Sequence, residues 1–410
     1  MADITSYKQQ RDAVGVSMPN FYPAGKAEQR WRTEEEAEWV TQQNKNDLLY
    51  AGKHYVGDGG IWPHPYHDKG IRDNIPYQEV NLLAKISRVF ADIVVGDGLF
   101  VTSRVPETQT FIDTLGLSDK KEKGKGIAGG LPLWKGMVKA SVGGFCGLQP
   151  IFKRKSGWKW SVIKPQNIYI EWSPVDEEEL TVIYKRMVFE KVKTGSEAIN
   201  ILYQEKHVPG LVEIQIFQVD GDIIKRELPL EAFKLVDPKA QLEPSWATGV
   251  DDFLITLLYN EDETSDYTLP VQRDQEALNA RLTQIHRILT INADPKLMAP
   301  STAFIKNPQS GRWEWNYEGQ EVIGYDPQTG HKYEYLTWNG ELTQATAHRD
   351  NLILSLLSEA DVAPQLLSFT QLVGGTPADT AAKLEKMYQA TLKRAGKKKE
   401  LLDEALNRFL

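Results

Sequence analysis

Apolar and polar positions alternate with two different periods along this chain, and the changes of period divide it into three stretches. In the first stretch the period is helical. Thr33 followed by Glu36 is a capping-box pattern and predicts a helix over residues 34–50, with a partial apolar stripe of Ala37, Val40 and Leu48. Residues 51–76 are rich in Gly, Pro, His and Asp and read as a long loop. Leu82, Leu83, Ile86, Val89, Phe90 and Ile93 share one face at helical spacing, so a second helix is expected over 77–95, ended by Gly96 and Gly98. A short helix near Phe111 and an exposed Lys- and Gly-rich run at 120–130 precede a further helix over 133–144. Gly136, Gly143 and Gly144 in it leave room for another backbone to approach closely.

The middle stretch has strand periodicity. Residues 149–153, 159–163 and 167–172 are short apolar runs separated by turns, while 181–190 and 211–219 alternate as half-buried strands do. Asp220-Gly221 is a hairpin signal. An antiparallel sheet packed on the earlier helices is expected.

The last stretch opens with a strand at 253–259 and an acidic turn at 261–266. A helix over 271–291, roughly 30 Å long, carries Leu278, Leu282, Ile285 and Leu289 in one stripe. Residues 295–338 are turn-rich, with short strands at 313–317 and 333–337, and a helix follows over 341–360. An uncharged loop at 364–375 leads to the clearest helix start in the chain: Thr376 as N-cap, Pro377 at the first helical position and Asp379 at the positive dipole end. Gly396 inside that final helix costs about 1 kcal/mol against alanine and marks a bend site.

Composition narrows the classes. The chain's 410 residues suffice for two or three domains, and 41% hydrophobic with 25% charged residues is ordinary for a soluble globular protein. No apolar run approaches the roughly 18 residues of a membrane span. The first 22 residues lack the pattern of a signal peptide and read as a mobile arm. Cys146 is alone, so no intrachain disulfide forms, which fits a reducing compartment. A net charge of -8 argues against a static DNA binder, whose affinity comes from clustered Lys and Arg. It leaves room for a protein through which DNA slides, because a strongly basic channel would hold the polyanion.

Chemical motifs are mostly negative. His54, His64, His67 and Asp68 fit no zinc spacing, and Gly124-Lys125-Gly126 lacks the ending of a phosphate loop. There is no G-x-S-x-G elbow and no H-E-x-x-H. No metal, cofactor or catalytic set is therefore expected, and the chain does not read as an enzyme. Trp158, Trp160, Trp172, Trp313 and Trp315 leave a carbohydrate-binding or carbohydrate-active protein as the competing reading, against sheet packing of the same rings. Lys393, Arg394, Lys397, Lys398 and Lys399 read as a solvated face balanced by Asp403 and Glu404, with a nucleic-acid or partner contact as the sharper reading.

One order of parts remains: a long helix, a compact excursion, a returning helix, an uncharged loop and a long helix with a bend site. Leu49-Tyr50-Ala51-Gly52, Asn81-Leu82-Leu83, Val94-Val95-Gly96-Asp97-Gly98, residues 253–260, Ala293-Asp294-Pro295-Lys296 and residues 376–385 fall along it in sequence. In this order the chain resembles the portal proteins of tailed bacteriophages. The resemblance implies an α+β, portal-like fold: long stem helices, a helical and β wing, and a small α/β clip. It divides the chain into an arm (1–32), wing (33–268), stem helix (269–294), clip (295–340), returning stem helix (341–361), tunnel loop (362–376) and a long bent helix (377–410) towards a reduced or missing crown.

The resemblance also implies a function. The chain would be one subunit of a homo-oligomeric ring, usually of twelve in the family, at a capsid vertex, assembled in the host cytoplasm. Double-stranded DNA would pass through it during packaging and ejection, held without sequence preference. The terminase large subunit, major capsid and scaffolding proteins and a head-tail connector would be its partners, with no membrane involved. Gln365, Ser368, Phe369, Thr370 and Gln371 would face the DNA. In the stem, which also includes Arg281, Leu278, Leu282 and Ile285 would pack between subunits, while Arg273, Glu276, Thr283 and Arg287 would lie on another face that meets DNA or solvent. Lys296, Arg312, Trp313, Trp315, His331 and Lys332 would serve docking at the clip.

Overall fold

A computed structural model of the chain describes residues 29–66, 76–96, 106, 109–110, 130–153, 157–176, 179–194, 197–237, 242–292, 296–298, 304–306, 308, 311, 313–315, 334–336, 342–367 and 381–409. The expected arm up to residue 28, the run at 120–129 and the helix start at Thr376 and Pro377 lie outside these residues.

The elements follow in order: β1 (Gln29–Arg30), α1 (Glu34–Tyr50), α2 (Leu82–Val95), α3 (Gly130–Gly143), β2 (Phe145–Lys153), β3 (Gly157–Ile163), β4 (Ile168–Trp172), β5 (Leu180–Thr194), β6 (Glu197–Val208), β7 (Leu211–Asp220), β8 (Ile223–Leu228), β9 (Ser245–Ala247) and β10 (Thr256–Tyr259). Then come α4 (Leu269–Asn292), β11 (Lys296–Met298), β12 (Phe304–Lys306), β13 (Trp313–Trp315), β14 (Glu334–Leu336), α5 (Leu342–Glu359) and α6 (Ala381–Phe409). The chain divides into two compact units, one of Met1–Trp62, Asn81–Gln275 and Leu354–Leu410, the other of Pro63–Val80 and Glu276–Ile353.

The first unit is built on a seven-stranded antiparallel sheet in the order β1-β8-β7-β6-β5-β4, with β9 added to β7. Along β6 the side chains alternate between its faces. Leu202 joins Trp31, Tyr169, Tyr184 and Phe217 in one core cluster, while Ile201 and Tyr203 join Ile214 and Ile216 in another. The Asp220-Gly221 signal becomes the β7–β8 hairpin, with Gly221 at φ 57°. A second sheet, β10-β2-β3, packs against α3 at Gly136, where a Cβ would come within 3.2 Å of Leu148. Gly143 meets Pro165 more closely still, at 2.3 Å from a Cβ. At both glycines the close neighbours are side chains; the expected approach of another backbone is found at Gly144, where Glu263 O would lie 2.7 Å from a Cβ.

Helix α1 starts at the predicted residue because its capping box forms. Glu36 N donates to Thr33 Oγ1 (3.1 Å), and Thr33 N donates to Glu36 Oε2 (2.7 Å). Helix α2 begins at Leu82 instead of 77. Asn81 caps it by accepting from Ala84 N (3.0 Å) and donates to Tyr50 O (2.9 Å). Strands β6 and β8, unforeseen in the sequence reading, complete the sheet.

In the second unit, residues 78–80 run extended rather than helical. Gln78 N donates to Thr283 Oγ1 (2.9 Å) and Val80 N to Asn279 Oδ1 (3.2 Å). These two buried side chains of α4 replace the intrahelical partners that a helix would give the same amides. Two short antiparallel ladders, β11–β14 and β12–β13, complete what is described of this unit.

The portal-like architecture expected above is overturned. The chain is α+β with a large antiparallel sheet as its principal feature, whereas the portal fold is mostly helical. Among the described residues no long stem helices are evident. The physical reason lies partly in α4. Of the expected stripe only Leu278 is buried; Leu282 and Ile285 are half-buried and Leu289 is 46% exposed. The buried positions include Gln275, Asn279 and Thr283, so the inward face is substantially polar and offers no continuous apolar seam for a helical stem. Thr283, expected on the solvent or DNA face, is buried.

Candidate functional site

The densest chemistry in the first unit surrounds Asp266, on the turn between β10 and α4. Its carboxylate is buried and accepts from Lys398 Nζ (3.0 Å), Arg394 Nη2 (2.9 Å), Asn260 Nδ2 (2.9 Å) and Ser141 Oγ. Burial alone would raise its pKa. The charges of Lys398 and Arg394, with the Ser141 and Asn260 hydrogen bonds, outweigh that and hold it below the usual value. Lys398 is pushed down by burial, which Asp266 only partly offsets. Arg394 also pairs with Glu261 (3.1 Å), and Lys397 reaches the same carboxylate from the surface. Hydroxyl contacts of 2.8 and 3.1 Å carry the network on from Ser141 through Ser87 to Tyr267.

The solvated basic face is thus corrected for two of its five residues, Arg394 and Lys398, while Lys397 is exposed but paired with Glu261. Lys393 and Lys399 are exposed, but Arg394, Lys397 and Lys398 are tied to Asp266 and Glu261. Asp403 and Glu404 are not their counterions; Glu404 pairs with Arg408 at 2.7 Å. Sequence alone showed the cations but not acids lying 128 to 136 positions earlier.

The same side of α6 pins the base of the expected tunnel loop. After α5, Asp361 takes a left-handed conformation (φ 53°). Thr391 Oγ1 accepts from Ala363 N (2.9 Å) and donates to Asp361 O (2.8 Å), while Arg394 Nη1 donates to Ala360 O (2.8 Å). The chain then makes a single 3-10 turn, Pro364–Leu367, on which Leu366 is 40% exposed. Gln365 lies on this turn, half-buried, with its side-chain Oε1 buried. Ser368, Phe369, Thr370 and Gln371 lie outside the described residues.

The expected stem residues fall on different environments. Arg273 is exposed in the first unit. In the second, Glu276 is half-buried, Arg281 Nε donates to His348 Nδ1 (3.0 Å), and the Arg287 guanidinium lies 4.4 Å from the Tyr66 ring centre. Of the clip residues, Lys296 is on β11 and Trp313 and Trp315 are on β13. Arg312, His331 and Lys332 lie outside the described residues.

A second buried ionic group went unnoticed in the sequence. Glu205 on β6 accepts from Lys185 (2.9 Å) and Tyr203 (2.8 Å) and lies 3.0 Å from His207 Nε2. Burial works against its ionisation, yet the His207 hydrogen bond and Lys185 hold the carboxyl down at about 2. Period-2 spacing of Tyr203, Glu205 and His207 was the available signal, but polar residues at two of the three positions hide it, since they match a solvent-facing pattern. Trp160 is buried opposite Pro150 on the β2–β3 ladder, as sheet packing requires. Cys146 is buried, and burial pushes its thiol up to about 12. Among the described residues no group of His, Cys, Asp and Glu is arranged to hold a metal, and no helix is long and apolar enough to cross a membrane. His54 is buried with Nε2 3.2 Å from Leu49 O, while His67 and Asp68 lie outside the described residues.

No protein-family model matches the chain, and no curated protein matches it either.

Proposed function

We propose that this chain is a structural, non-catalytic subunit of a homo-oligomeric portal ring that conducts double-stranded DNA at the vertex of a tailed-phage capsid. The observation that carries the reading is the collinear series of short sequence motifs ending in an uncharged loop. The pinned base of that loop, held by Thr391 and Arg394, adds support. A loop that meets moving DNA needs a fixed root and side chains without a strong ionic grip. The sheet-rich architecture contributes nothing to this reading, which rests on order and on the loop. The terminase large subunit, major capsid and scaffolding proteins and a head-tail connector are its proposed partners, and no cofactor is invoked.

Head-to-tail contacts either close into rings or run on as filaments. Negative-stain imaging and native mass measurement of the purified protein should show closed cyclic particles. A monomer at high concentration in every buffer overturns the proposal. Alanine across residues 365–371 should leave rings intact and impair DNA packaging; normal packaging removes the tunnel assignment.

A further inference from the structure

A groove of about 740 Å³ opens in the first unit between β10 and the last turns of α6. Trp172, Leu180, Phe253, Tyr259 and Leu401 line it, and all five are half-buried. Leu180, Phe253 and Tyr259 pack on the core cluster around Ile168, Ile183 and Ile255. The groove is thus a side of the hydrophobic core that the described residues leave partly uncovered. The segment that precedes β1 has matching chemistry. Residues 13–25 carry no charge, and Phe21-Tyr22-Pro23 supplies two aromatic rings within them. A proline fixes its own φ, so Pro19 and Pro23 lower the entropy lost on docking.

The chain's own segment does not reach. Following the ladders from Gln29 leads through Ile224, Val219 and Asn200 to β5 beside Phe189, nine residues from Leu180 at the groove. Four strand spacings together with nine residues of strand separate Gln29 from the groove by about 35 Å. The eight residues from Phe21 to Gln29 extend over at most about 28 Å. We propose that residues 18–23 dock in this groove from a second copy of the chain, with the Phe21 and Tyr22 side chains against Trp172, Phe253 and Tyr259. Burial of the two aromatic side chains and their pairing with the aromatic lining favour the docked state. The contact is head-to-tail, because the groove and the segment are different surfaces of one subunit. It deepens the ring reading and rests on that reading's self-association, but not on DNA.

Disulfide trapping in the full chain tests it. The native Cys146 is buried and does not compete with introduced cysteines. An Asn20→Cys copy and a tagged Leu401→Cys copy are co-expressed and oxidised, and the linked pair is resolved by non-reducing electrophoresis. A mixed product is expected. Val56→Cys in place of Leu401→Cys, a site 53% exposed in the same unit, should not give it. Phe21→Ser/Tyr22→Ser added to the Asn20→Cys copy should lower the yield at least about tenfold. Closed rings without the mixed product overturn the docking and leave the ring standing. The mixed product in assemblies that do not close supports the docking and overturns the ring. Equal yield at Val56→Cys, an unchanged yield without the two aromatic side chains, or linkage only within single chains of an Asn20→Cys/Leu401→Cys variant overturns the docking.

Discussion

Replacing Asp266 by asparagine keeps the size of the side chain and removes only its charge. The consequence follows from what remains. Lys398 is 1% exposed, with its amino group 3.0 Å from both carboxylate oxygens, and Arg394 Nη2 is 2.9 Å from one of them. An Asp266→Asn chain buries a lysine with no opposite charge in contact, while Arg394 keeps Glu261. Breaking a buried ion pair from one side costs roughly 3–5 kcal/mol, against about 0–1 kcal/mol for an exposed pair. Equilibrium urea unfolding followed by circular dichroism measures the loss. Asp266→Asn/Lys398→Met removes both charges and should cost less than Asp266→Asn alone, because an apolar replacement does not leave a stranded cation. The pH dependence has a definite sign. The Asp266 carboxyl is held below its ordinary value of 3.8, so its contribution is present above that value and lost as pH falls through the folded value. The difference between wild type and Asp266→Asn should therefore shrink in acid. A loss within about 1 kcal/mol at neutral pH, or a double variant as unstable as the sum of the singles, would refute the reasoning.

Three further outcomes are expected. Thr33→Ala should destabilise by about 1 kcal/mol in urea unfolding, because both arms of the α1 capping box pass through that residue. Thr391→Val removes the partner of Ala363 N and Asp361 O and should cost roughly 1–3 kcal/mol, with faster limited proteolysis near residues 360–367; unchanged cleavage would show that the loop base is held elsewhere. Glu205, held at about 2 against an ordinary 4.5, contributes stability that is present above the higher value and lost as pH falls towards the lower, about 3 kcal/mol in full; acid titration of Glu205→Gln should lack that part of the slope.

Local rules made much of the fold legible. Thr33 and Glu36 placed the start of α1 to the residue, since a capping box is made by neighbours in sequence. The alternation from Leu211 to Val219 placed β7 for the same reason. Strand β6 escaped because Gln204, Glu205 and His207 are buried polar residues, and an amphipathic pattern assigns such positions to solvent. What satisfies them is other chain: Arg186 for Gln204, Lys185 for Glu205. Helix α2 started late for a related reason, as Gln78 and Val80 find partners in Thr283 and Asn279.

The last third shows where such reading stops. Helices α4 and α5 occur where apolar spacing put them, yet spacing did not determine which face would be buried. Asn279 and Thr283 are buried because the extended backbone at 78–80 supplies donors to them, over about 200 residues of sequence separation. The order of elements could therefore be right while the portal-like architecture was wrong. Order depends on propensity and caps, which are local; architecture depends on which faces find partners, which is not. The cation cluster on α6 makes the same point in charge. Lys398 and Lys399 are adjacent and chemically identical, but one is buried against Asp266 and the other is exposed. For the proposed conduit this separates two kinds of residue. Those that root the loop, Thr391 and Arg394, act through stability and should respond to urea, whereas any residue that meets DNA should respond only in packaging.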